Sequence, residues 1–136
     1  MRPDQSRTKT VVIERDLRFP AERVWRALTD PHLMADWLME TDFIPQEGAD
    51  FGFAAPFGRI DCHVLTIIPM EKLAYRWQAL GLDSVVTFTL LPIDGGVRLR
   101  MEQSGFTREQ GRAYGGARDG WTGFLDNLAA QLDRRS

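Results

Sequence analysis

The sequence is poor in the residues that mark several large functional classes. Its 136 residues include a single cysteine, Cys62, so no disulfide can form within the chain, and we expect a reducing, cytoplasmic compartment. Lysine and arginine number 17 against 19 acidic residues, without a basic run, which argues against nucleic acid and anionic membranes as partners. No apolar stretch reaches the length of a transmembrane helix, and the N-terminus lacks the apolar segment of a signal peptide.

Ligands for a metal and groups for nucleophilic catalysis are equally scarce. Of the two histidines, His32 is expected at the surface, and His63 has only Asp61 as a neighbour at ligand spacing. Cys62 is expected to be a small buried hydrophobic side chain rather than a nucleophile. No glycine-rich turn leads from a strand into a helix, as a phosphate loop requires. We therefore predict no metal, no cofactor and no catalytic residue.

The last thirty residues carry the pattern of a long amphipathic helix. Apolar residues recur there at steps of three and four, which places them on one stripe. They are Tyr114, Ala117, Trp121, Phe124, Leu125, Leu128 and Leu132. Thr107 and Gln110 have the spacing of a capping box. We expect a regular helix over 117–134 and an irregular or kinked start near Gly115-Gly116, because glycine disfavours helix by about 1 kcal/mol relative to alanine.

The chain upstream reads as one strand, two short helices and a series of strands. Residues 10–17 have the pattern of a strand, and Pro20 and Asp30-Pro31 are residue types that begin helices. From Thr41 onward, short apolar segments alternate with turn residues. The predicted strands are 41–44, 50–55, 59–68, 72–79, 84–92 and 96–104. Both faces of 59–68 carry apolar residues, which leaves its register open.

This order of elements predicts an α+β fold. Short connections favour antiparallel pairing of successive strands, and strands with one apolar face need helices on one side of the sheet. We expect a single domain over residues 1–136, with 1–8 loose. In it, a seven-stranded antiparallel sheet curls around the C-terminal helix.

Several segments of the chain resemble a known family. They are Phe19-Pro20-Ala21-Glu22-Arg23-Val24-Trp25-Arg26-Ala27-Leu28-Thr29-Asp30-Pro31 with Trp37 behind it, Pro69-Met70-Glu71-Lys72-Leu73 followed by Tyr75 and Trp77, and Gly120-Trp121. These segments are similar to START-related helix-grip proteins of the SRPBCC superfamily, and within it to the group named after the activator of the heat-shock-protein-90 ATPase. The resemblance implies a helix-grip fold whose hollow, between sheet and long helix, holds an apolar or aromatic small molecule. The chaperone activator carries a further N-terminal domain without a counterpart in this sequence, so we expect no stimulation of a chaperone ATPase by this chain alone.

Large aromatic residues are numerous for one small core, and several have a polar tip that suits a cavity wall. We predict a ligand site between Tyr75-Trp77 on the sheet and Tyr114-Trp121 on the helix. The predicted ligand-binding residues are Trp37, Phe51, Phe53, His63, Tyr75, Trp77, Phe88, Met101, Tyr114 and Trp121. Plain core packing is the competing interpretation of these residues, and for Phe88 we favour it.

Non-enzymatic binding of a small hydrophobic or aromatic molecule is the function that we favour. A first alternative is an enzyme of the polyketide cyclase or dehydratase type, in which His63, Asp61 or Tyr75 moves a proton. Asp61 and His63 share one strand face, but Arg59 on that face favours a solvated ion pair instead. The second alternative is a module that interacts with a chaperone. Oligomeric state stays open, a homodimer included.

Overall fold

The computed structural model describes residues 9–134. Its strands are β1 (Lys9–Leu17), β2 (Asp50–Ala55), β3 (Gly58–Ile68), β4 (Lys72–Ala79), β5 (Leu82–Ile93) and β6 (Gly96–Phe106). Its helices are α1 (Ala21–Thr29), α2 (Pro31–Trp37) and α3 (Gly111–Arg134), the last preceded by a 3₁₀ turn at Arg108–Gln110. The predicted looseness of residues 1–8 concerns a segment outside the described residues.

All six strands belong to one antiparallel sheet in the spatial order β1-β6-β5-β4-β3-β2. Strands β2 to β6 follow one another as hairpin neighbours, and β1 closes the far edge against β6. Helix α3 lies across one face of this sheet and also contacts α1 and α2. Its buried residues Leu125, Leu128 and Leu132 complete a single hydrophobic core. The α+β helix-grip architecture that the sequence predicts is confirmed.

The sheet has six strands in the described chain, and the prediction of a seventh over 41–44 is wrong. Thr41 forms one isolated bridge, to Phe53. The Thr41 hydroxyl donates to the Gly52 carbonyl at 2.6 Å, and the Asp42 carboxylate accepts from the Gly52 amide at 2.8 Å. These side chains satisfy the backbone groups of Gly52, while the Ala54 amide donates to the Glu40 carbonyl at 2.9 Å. No continuous ladder forms, and Phe43 turns into the core with 3% of its surface exposed.

A bulge in β3 explains why its register could not be read from the sequence. Pairing with β4 shifts between Val64 and Thr66, so Leu65 is the extra residue. Before the bulge, Ile60, Cys62 and Val64 face the core. After the bulge, the alternation of inward and outward residues is displaced by one position. A strict two-residue period read from the sequence therefore assigns apolar residues to both faces of the strand.

The start of α2 and the turn before α3 follow the predicted capping chemistry, whereas α1 begins one residue after Pro20, which is its N-cap. Asp30 accepts a hydrogen bond from the His32 amide at 2.9 Å, and Pro31 is the first residue of α2. The capping box of Thr107 and Gln110 is formed. Helix α3 then runs without interruption through Gly115-Gly116, where we expected an irregular start. The buried residues from Trp121 onward anchor the helix, and this tertiary packing outweighs the low helix propensity of its first turns.

Candidate ligand cavity

Most of the predicted aromatic residues meet in one cluster beneath helix α3. Neighbouring rings lie in edge or tilted contact, with centroids 5.1 Å apart for Phe51 and Tyr75 and 5.3 Å apart for Phe53 and Trp77. Phe43, which sequence reasoning assigned to a strand, joins the cluster 4.9 Å from Phe51. The following predicted site residues are buried here: Trp37, Phe51, Phe53, Tyr75, Trp77, Phe88, Met101 and Trp121. The space between Tyr75 and the helix is thus occupied by side chains.

Tyr75 is the polar exception inside this cluster. Its side chain is fully buried, and its hydroxyl has no hydrogen-bond partner within the described chain. Burial raises the pKa of the Tyr75 phenol well above its ordinary value, so the group stays protonated at neutral pH. Burial likewise raises the pKa of the nearby Cys62 thiol to about 12, which removes it as a nucleophile.

An apolar cavity of about 280 Å³ opens at the end of the aromatic cluster. The indole rings of Trp77 and Trp121, with centroids 5.4 Å apart, form its floor together with Ile60 and Gln103. Its walls come from the β2–β3 hairpin, the β4–β5 hairpin, the residue Met39 and the first half of α3. The wall residues are Met39, Ala55, Pro56, Phe57, Ala79, Leu80, Leu82, Ala113, Gly116, Ala117, Gly120 and Phe124.

Glycines give the helical wall of the cavity its shape. A Cβ atom added at Gly116 or at Gly120 would meet no heavy atom within 4 Å. The space beside these residues is therefore open, and no close approach of backbone requires glycine there. Both glycines line the cavity, and the absence of a side chain at these positions leaves the cavity wider there.

Two exposed apolar side chains flank the opening. Phe57 has 55% of its surface exposed and Leu80 has 81%. Leu80 and Gly81 form a two-residue hairpin turn in which both have positive φ angles, 52° and 81°. The side-chain amide of Gln110, Nε2, donates to the Gly81 carbonyl at 3.2 Å, which connects this turn to the start of α3. Both walls of the opening are thereby connected.

A buried chain of hydrogen bonds supports the cavity floor. The Trp121 indole N–H donates to Gln103 Oε1 at 2.8 Å, and Gln103 Nε2 donates to Ser84 Oγ at 2.9 Å. Ser84 Oγ in turn donates to the Trp77 carbonyl at 2.9 Å. Gln103 and Ser84 are 1% and 2% exposed, so these bonds satisfy groups that would be costly to bury alone. They fix the orientation of the Trp121 ring.

Of the predicted site residues, only Trp77 and Trp121 line this cavity. Tyr114 is half-buried and packs on Phe106, with centroids 5.6 Å apart, and Lys9 lies over its ring. His63 lies on the opposite face of the sheet, where its Nδ1 atom is 2.6 Å from Asp50 Oδ1. Its strand register explains this position, because the alternate residues Ile60, Cys62 and Val64 take the core side.

The acid–base pair considered for Asp61 and His63 does not form. Asp61 instead accepts from Arg59 Nε at 2.9 Å, which is the solvated ion pair that we favoured from the sequence. Within residues 9–134, no group of three or more histidine, cysteine and acidic side chains is placed to hold a metal ion.

Sequence reasoning did not identify Gln103, the polar residue of the cavity floor, or the residues around the cavity opening. Gln103 continues the inward alternation of Val97, Leu99 and Met101, so a polar residue at a core position was the available signal. Gly116 and Gly120, four residues apart beside Trp121, were visible as a glycine-rich approach. For Phe57 and Leu80, in turns of the chain, we find no comparable signal.

Comparison with known proteins places the chain in a family. The family described as "Activator of Hsp90 ATPase homolog 1-like protein" matches residues 18–133. The chain belongs to this family. The resemblance read from the sequence is thus confirmed. No functionally curated protein matches the sequence.

Solved structures of family-like proteins share the whole fold. Protein MLL2253 from Mesorhizobium loti is 48% identical, with 94% of this chain and 99% of that chain covered and a TM-score of 0.91. CV1439 from Chromobacterium violaceum is 27% identical, with 90% and 96% covered and a TM-score of 0.75. DynU16, a protein of the dynemicin biosynthetic locus, is 26% identical with a TM-score of 0.83; the match covers 96% of this chain but 48% of DynU16. No helix in the described part of the chain is long and apolar enough to cross a membrane.

Proposed function

We propose that this family member binds a small apolar or aromatic molecule in the cavity between helix α3 and the two hairpins. The observation that supports this function is the apolar opening of about 280 Å³ over the paired indoles of Trp77 and Trp121. Small-molecule sites are typically concave, apolar and provided with few polar groups. The proposed site lies farther out than the one expected from the sequence, because the region around Tyr75 is filled. The place of DynU16 in a biosynthetic locus is compatible with a small-molecule ligand.

The size of the cavity sets the expected affinity. A three-ring aromatic molecule and the cavity walls around it together remove about 400 Å² of apolar surface from water, which gains about 10 kcal/mol. Loss of translational and rotational freedom offsets part of that gain. If about 4 kcal/mol of the gain is offset in this way, about 6 kcal/mol remains, and a dissociation constant of tens of micromolar is expected for a simple aromatic probe.

The three residues considered for proton transfer, His63, Asp61 and Tyr75, lie where they favour binding over catalysis. His63 and Asp61 lie on the outer face of the sheet, and Tyr75 lies beneath the cavity floor with a phenol that stays protonated. None of these three residues lines the cavity. An enzyme that used them on a ligand bound there would need a different arrangement of the sheet.

Fluorene is a suitable first probe, because it is rigid, apolar and close to the cavity in size. Two of the four tryptophans form the floor, so binding should change tryptophan fluorescence in a saturable way. Gly116→Leu, which places a side chain at the lining, should weaken fluorene binding at least tenfold. Gly115→Leu is the matched control, since the neighbouring glycine is equally open but does not line the cavity. Absence of saturable binding, or equal binding by the Gly116→Leu variant, would contradict the proposal.

A further inference from the structure

The hydrogen-bond chain beneath the cavity leaves one donor unused. The Trp121 indole can only donate, so the atom of Gln103 that faces it must be the carbonyl oxygen Oε1. The Gln103 amide nitrogen then faces Ser84, whose single hydroxyl proton goes to the Trp77 carbonyl. A side-chain amide carries two N–H bonds, and only one of them is used here. The second has no acceptor among the described residues.

Gln103 is also the only side chain with an amide, hydroxyl or charged group in the cavity lining as the structure describes it. No lysine or arginine lies in the lining to neutralise an anionic ligand, and no carboxylate lies there to neutralise a cation. A charged group would lose its hydration at this floor without a partner, which is costly. The site therefore disfavours charged ligands.

We infer that the cavity selects neutral, largely apolar molecules that carry a hydrogen-bond acceptor oxygen, with the free N–H of Gln103 as its donor. This inference rests on the proposed function and adds the chemical class of the ligand. Ketones and esters fit that class, whereas pure hydrocarbons leave the N–H unpaired and free carboxylates bring an uncompensated charge. An acceptor is preferred to an alcohol donor because Oε1 already accepts from Trp121, whereas the second N–H has no partner.

A set of three probes with one shared ring system tests the inference. Fluorenone adds a carbonyl oxygen to the fluorene skeleton, and fluorene carboxylate adds a charge. We expect fluorenone to bind about two- to tenfold more tightly than fluorene, which is the range for one net hydrogen bond, and the carboxylate to bind more weakly than either. The carbonyl stretching band of bound fluorenone should lie at lower frequency than in an alkane solvent, where the carbonyl accepts no hydrogen bond.

A variant of Gln103 tests whether its side-chain N–H is the donor. Gln103→Met keeps the length of the side chain and removes the N–H, so the ratio of fluorenone to fluorene affinity should fall to about one. The variant also leaves the Trp121 N–H without its acceptor, which costs stability; where it does not fold, the affinity ratio and the carbonyl band of the parent protein decide the question.

The outcomes separate this inference from the function on which it rests. Equal binding of fluorene and fluorenone, or an unshifted carbonyl band, overturns the choice of ligand class and leaves the proposed function standing. Failure of all three probes overturns both. A fluorenone preference that survives in a folded Gln103→Met variant shows that another group is the donor.

Discussion

Replacing Gly120 by alanine tests whether this residue lies in a regular helix with open space beside it. The residue lies in the interior of a helix that spans Gly111–Arg134, and a Cβ atom there would meet nothing within 4 Å. Alanine is favoured over glycine in a helix interior by about 1 kcal/mol, partly because it restricts the unfolded chain. With no steric cost to subtract, Gly120→Ala should raise the free energy of unfolding by about 1 kcal/mol.

Urea denaturation followed by circular dichroism measures this change. A slope of about 1–2 kcal/mol per molar urea, ordinary for a small domain, converts the gain into an upward midpoint shift of about 0.5–1 M. Gly123→Ala is the matched control, because Gly123 is equally open in the same helix but does not line the cavity. A midpoint that rises for Gly123→Ala and falls for Gly120→Ala would refute the reasoning, since it would show that the backbone at Gly120 needs a conformation that alanine cannot adopt.

Two further substitutions have signs that follow from the structure. Tyr75→Phe removes a buried hydroxyl without a partner and should raise the free energy of unfolding by about 1–2 kcal/mol in the same assay; a loss of stability would reveal a partner for that hydroxyl. Leu80→Asn places a residue that tolerates positive φ in the Leu80-Gly81 turn and should raise the free energy of unfolding by about 0.5–1 kcal/mol. It should also weaken fluorene binding, because Leu80 lines the cavity. A lowered denaturation midpoint would show that the leucine makes stabilising contacts.

The fold could be predicted from the sequence because its signals are local. Alternation in β4, β5 and β6, proline and aspartate at helix starts and the capping box at Thr107 each report on a few neighbouring residues. Two features depend on distant partners and could not be read this way. The segment 41–44 lacks a strand ladder because side chains of Thr41 and Asp42 pair with Gly52, and the register of β3 depends on a bulge at Leu65.

The residues predicted as ligand-binding lie at different depths in the structure. Alternation along β4 places Tyr75 and Trp77 on one face, yet Tyr75 lies in the packed cluster and Trp77 at the cavity floor. Periodicity gives the direction in which a side chain points; it gives no distance between the two surfaces that face each other. The place where the sheet and the helix separate depends on the side-chain volumes of both. The pattern of one strand or one helix alone does not give that sum.

The composition of helix α3 supplies the physical reason for that separation. Its second half contributes Leu125, Leu128 and Leu132, whose side chains fill the space above the sheet. Its first half presents glycine and alanine to the corresponding space, and Trp121 stands at the boundary with its indole held by Gln103. Protein interiors close-pack wherever side chains can reach, so a helix that offers no side chain over part of its length leaves a cavity there. Residues 113, 116, 117 and 120 therefore shape the helical wall of the cavity, while the polar group at its floor, Gln103, comes from the sheet. The width of the cavity and the polarity of its floor can accordingly vary independently in this fold.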